Sequence, residues 1–154
     1  MSNSLRGMIA GFVATLVLSG LLLLKSSMNL VPELNIIRLL VNLGSIETTA
    51  AWMDHFIVGV VVWGLLFSAY DGLAARPAHW LKGIIFGLFA WLMMMLVFMP
   101  LTQGGLFGYR IGPMAAVVTL FYNLVYGVVL GTTYGLLTAW LPAREPEGAH
   151  PPAT

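Results

Sequence analysis

The residues able to do chemistry are few and scattered. Asp54 and His55 are the most suggestive, because they fall in the first turns of a long apolar stretch. An ionisable group inside such a stretch often marks a proton or ion path, or a ligand site. Histidine titrates near neutral pH, and a neighbouring carboxylate favours its charged form. Adjacent helical residues point about 100° apart, however, so these two need not pair. Asn123 occupies a comparable place in a later apolar stretch. Glu33 and Arg38 are five residues apart and so do not stack on one helix face. Arg38 is expected to snorkel toward lipid phosphates. Asp54, His55, Asn123, Glu33 and Arg38 together are the candidate ion or partner site.

Most familiar chemistries lack their residues. Ser-His-Asp order, GxSxG, HExxH, Walker A and GxGxxG motifs are absent from the sequence. There is no cysteine, which removes disulfides, thiolate metal sites, iron–sulfur clusters and cysteine nucleophiles. His79 falls at the opposite interface from His55 and His150 lies in the tail, so a bis-histidine haem or a zinc site has no ligand set. Met93, Met94, Met95 and Met99 could hold a soft metal, but methionine more often fills irregular core space. The expectation is a non-enzyme with no catalytic residue, no cofactor and no metal. A net charge of +1 argues against a nucleic-acid partner.

These residues sit on an unusually apolar chain. Of 154 residues, 59% are hydrophobic and 8% charged, well below the roughly 25% charged of soluble domains. Residues 7–24, 56–70, 83–99 and 114–141 hold no charged side chain, and each with its flanks suits a bilayer core of about 30 Å. We therefore expect an all-α, four-transmembrane-helix bundle over residues 1–141, with spans near 5–24, 49–70, 81–99 and 114–141. A signal peptide is a poorer reading of the first stretch, whose apolar run is long and ends in four leucines and Lys25. Thr48 or Thr49 is expected to cap the second span. Pro100 is expected to stop the third, and 71–81 is read as a loop. Residues 142–154 are expected to be a disordered tail.

Between the first two spans, Asn35, Arg38, Asn42 and Ser45 recur in steps of three and four on an otherwise apolar segment. That spacing predicts a short amphipathic helix over 32–46, begun by Pro32 and Glu33. It covers only about 20 Å, too short to span, and should lie at the interface or pack as a half-helix. Four basic residues (Arg6, Arg76, Lys82, Arg144) against three (Lys25, Arg38, Arg110) favour cytoplasmic termini. Glu47 and Arg110 fall in loops on one side, within reach of pairing.

Small residues four apart are the strongest positive signal: Gly7/Gly11, Gly83/Gly87 and Gly127/Gly131/Gly135. On helices such pairs let another backbone approach closely. The partner can be a helix of the same bundle or another subunit, and the three-glycine face is the best candidate for an external contact. A repeat runs through the same residues. The 6–14 segment matches 82–90 with a basic residue, two glycines and an alanine in register, and His55–Val61 resembles Asn123–Val129. Two tandem helical hairpins in one orientation, related about an axis along the membrane normal, would produce it. In that alignment Trp63 stands where the second half has Gly131.

Several of these stretches resemble an uncharacterised family of small bacterial four-helix integral membrane proteins. They are residues 7–14, Val31-Pro32-Glu33-Leu34, His55-Phe56-Ile57-Val58-Gly59 with Trp63-Gly64, and Lys82-Gly83 with Gly87. Met99-Pro100, Gly105-Leu106-Phe107-Gly108 and Tyr134-Gly135 match as well, so the likeness covers about 5–140. The resemblance implies four spans and a bacterial inner membrane, and it supplies no activity. It also implies a histidine where this chain has Asn123, and the departure weakens a paired-histidine site. The expected role is a non-enzymatic accessory or scaffold subunit in the bilayer, packing through glycine faces as a homo-oligomer or within a larger complex. The alternative is a small-solute or proton-coupled transporter or channel using Asp54 and His55.

Overall fold

The computed structural model describes residues 1–28, 30, 34–44, 46–73 and 78–141. They form five long or short helices and no strand among the described residues: α1 (Asn3–Ser27), α2 (Ile36–Gly44), α3 (Thr48–Leu73), α4 (His79–Leu101) and α5 (Met114–Trp140). All but α2 are long and apolar enough to cross a membrane, the mark of a multi-pass membrane protein. A short 3-10 turn, Leu106–Gly108, sits in the glycine-rich connection before α5. Gly105 has φ of 78° there and faces the Tyr109 ring, so this bend suits glycine alone.

Helix α1 packs on α3 and on α5, and α4 packs along α5. The hairpins are therefore α1–α3 and α4–α5. Phe67, Phe86, Tyr126, Leu130 and Tyr134 fill the shared core with Ala10 and Ala14. The rings meet edge to face: Phe67–Phe86 centroids are 5.3 Å apart and Phe67–Tyr134 centroids 5.4 Å. A second cluster, Leu34, Met95, Met99 and Ala115, closes the end near α2.

Three local expectations change. Helix α3 starts after Glu47, whose side chain makes no capping bond, so neither threonine caps it. Pro100 does not stop α4, which runs on to Leu101. A proline removes one ladder bond and crowds the carbonyl four residues back. The π turn over Met94–Phe98 widens the helix just there and makes room for it. Helix α2 begins at Ile36, after the non-helical Leu34 and Asn35, and Asn35 caps it by accepting the Arg38 N–H at 2.9 Å. Pro32, Glu33, Ser45, Arg76 and the tail 142–154 lie outside the described residues.

Candidate functional site

Backbone contact at glycine holds each hairpin together. A Cβ on Gly11 would lie 2.8 Å from the Gly59 carbonyl oxygen, and one on Gly64 would lie 2.6 Å from that of Gly7. In the other hairpin, Gly83 meets Gly127 and Gly131, Gly87 meets Asn123 and Gly127, and Gly135 faces His79. Such approach gives dispersion and Cα–H···O contact that any side chain would forbid. The three-glycine face of α5 therefore covers α4. It is not open to another subunit, which corrects the sequence-based choice of external contact. A stripe of small residues looks the same whichever helix it receives.

The two halves pair through the same kind of contact, but not at the residues that the repeat aligns. Helix α3 contains a π segment, Val58–Trp63, which adds a residue to a helical turn. Gly59 and Gly64, five apart across it, lie against Gly11 and Gly7 as Asn123 and Gly127, four apart, lie against Gly87 and Gly83. The extra residue of the wide turn is what brings two glycines five apart onto one face.

Polar side chains inside the bundle bond mainly to backbone carbonyls. The Tyr126 hydroxyl donates to the Gly59 carbonyl oxygen at 2.6 Å, linking α5 to the π segment of α3. Thr15 donates to Gly11 at 2.7 Å and Thr119 to Ala115 at 2.6 Å, each within its own helix. Asn123 donates to Thr119 at 2.8 Å and leans its amide on the Met94 sulfur. His55 Nε2 lies 3.3 Å from the Ser19 hydroxyl of α1, with Trp52 and Phe56 against its ring. Asp54 is exposed on the other face of the same helix. The adjacent pair is thus split, as the 100° step between neighbours allows.

The densest charge cluster is one the sequence reading missed. Asp71 is not in a loop but in the last turns of α3. Its carboxylate lies 2.8 Å from Lys82 Nζ and 2.7 Å from His79 Nδ1, both on α4. Lys82 is 4% exposed, and its ammonium also donates to the Asp71 carbonyl oxygen at 3.1 Å. Arg6, its counterpart in the repeat, is equally buried and donates to the Leu141 carbonyl oxygen at the end of α5, and to Asn3 at 3.0 Å. Each hairpin thus places a cation on the carbonyl end of the other hairpin's last helix, where the helix dipole is negative. The signal available in sequence was the recurrence of a basic residue before each glycine pair.

At the other end, Lys25 Nζ donates to the Leu34 carbonyl oxygen, fastening α1 to the approach to α2. Leu34 inserts between Met95, Met99 and Ala115, so the interfacial segment is anchored in the bundle. Arg38 is exposed on α2. Arg110 turns to Tyr109, its Nε 3.0 Å from the hydroxyl, and does not pair with Glu47. Among the described residues no group of three His, Asp or Glu side chains could hold a metal ion. The structure does not bring Asp54, His55, Asn123 and Arg38 into one site, and Glu33 lies outside the described residues.

Against known proteins, the profile of a family of unknown function, DUF6789, matches residues 1–143. Neither a curated protein nor a solved structure is similar enough to count as a match.

Proposed function

We propose, for a chain that belongs to this family of unknown function, the role of a non-enzymatic scaffold or accessory subunit in a bacterial cytoplasmic membrane, with both termini on the cytoplasmic side. One observation carries the reading: the intramembrane polar groups bond to each other and to the backbone. A transport path presents polar groups from facing helices to a hydrated route near the midplane. Here the facing helices meet through glycine backbone and interlocked rings instead. Because both glycine faces are internal, any partner docks on other surfaces of the bundle. The transporter alternative keeps one favouring contact, His55 with Ser19 across α1 and α3, which could relay a proton.

The test is purification of the tagged full chain from its native membrane in a mild detergent, followed by identification of what accompanies it. The expected result is a stoichiometric complex with another membrane protein, or a defined homo-oligomer. A lone monomer that supports ion or solute flux would overturn the subunit reading.

A further inference from the structure

A cleft of about 530 Å³ opens where the end of α1, the interfacial helix α2 and the start of α3 meet. It is in the size range of small-ligand sites. Asn35, Arg38 and Asn42 of the polar stripe of α2 border it together with Lys25, Ser26 and Thr48, and Arg38 and Asn42 remain exposed. Its apolar lining includes Leu22, Ile37 and Val41. It continues into Leu23 and Leu24, which are more than half exposed on the bilayer side of α1. Trp52 lines the same cleft, at the level where indole rings favour the headgroup zone. Among the described residues no carboxylate lines it, and the Arg38 guanidinium has no ion pair.

We infer that this cleft holds the phosphoryl headgroup of an anionic phospholipid. Arg38 meets the phosphate, Asn35 and Asn42 donate to its oxygens or to the glycerol, and the acyl chains run down past Leu22 and Leu23. Guanidinium matches phosphate oxygens in a two-pronged geometry. The inference stands apart from the subunit role, since a scaffold and a transporter could each carry a bound lipid.

The experiment is native mass spectrometry of the full chain in a neutral detergent, titrated with dioleoyl phosphatidylglycerol or dioleoyl phosphatidylcholine. Phosphatidylglycerol should bind more tightly by about fivefold, the order contributed by one cation beside an anionic headgroup. Arg38→Gln should remove that preference. Arg110→Gln, a change to the other exposed arginine on the same side, should keep it. Asn42→Leu should weaken binding in a protein of unchanged helix content, so a misfolded Arg38 variant would not leave the matter undecided. Inorganic phosphate at millimolar concentration should fail to displace the lipid. Equal binding of the two lipids would overturn the inference, and so would equal losses from the Arg38 and Arg110 changes or displacement by phosphate.

Discussion

Asp71 is the residue on which the most charge depends. It neutralises Lys82, whose side chain is 5% exposed, and it holds His79 at the start of α4. Removing one member of a buried pair leaves an uncompensated charge, which costs about 3–5 kcal/mol. Asp71→Asn should therefore lower unfolding stability in detergent by about 3 kcal/mol. Adding Lys82→Met to that variant should recover most of the loss, because the cation goes with its partner. A single Asp71→Asn change that leaves the denaturation midpoint unmoved would show the cluster to be solvated. Only the basic residue before each glycine pair was legible beforehand, not its partner. Asp71 and Lys82 are eleven residues apart with a helix break between them, so no periodicity relates them. His55 was visible as an intramembrane histidine, but its partner Ser19 is on another helix. Adjacency drew attention to Asp54, and adjacency is not contact on a helix.

Among the elements, the glycine contacts decide how the helices are paired. Gly131 lies against the His79 carbonyl and the Gly83 backbone, so a side chain there has nowhere to go. Gly131→Leu should destabilise the folded chain by about 3 kcal/mol, the upper part of the range for overpacking, and leave any association of folded chains unchanged. Gly20 is the contrast: nothing lies within 4 Å of a Cβ placed there. Gly20→Ala should be neutral or stabilising by up to about 1 kcal/mol, as helix propensity favours alanine. Thermal unfolding in one detergent compares all three proteins. Loss of oligomer with unchanged stability in Gly131→Leu would put the groove back at a subunit interface.

The helices themselves were readable because twenty apolar residues in a row have few alternatives in a bilayer. Spacing also marked the glycines of α1, α4 and α5, but not Gly59 and Gly64 of α3, which are five apart. What spacing could not give was the receiving helix, since the groove is identical for an internal and an external partner. Nor could it give the two π turns. The turn in α3 shows only as a step of five, Gly59 to Gly64, where a regular helix would need four. The turn in α4 shows only as a proline that the helix passes through.

Taken whole, the molecule is four spans tied at both ends. Arg6 and Lys82 fasten one end, Lys25 and Leu34 the other, with aromatic rings and paired backbone between. Its interior polar side chains bond mainly to backbone carbonyls, and that arrangement is the basis for the structural role proposed above. The most direct measurement is flux through proteoliposomes containing the purified full chain, with a proton-sensitive dye inside and an imposed pH gradient. The account predicts dye responses no faster than in protein-free liposomes, for the natural chain and for His55→Ala alike. Proton flux well above that background, and lost in His55→Ala, would contradict it and make the His55–Ser19 contact part of a conducting path.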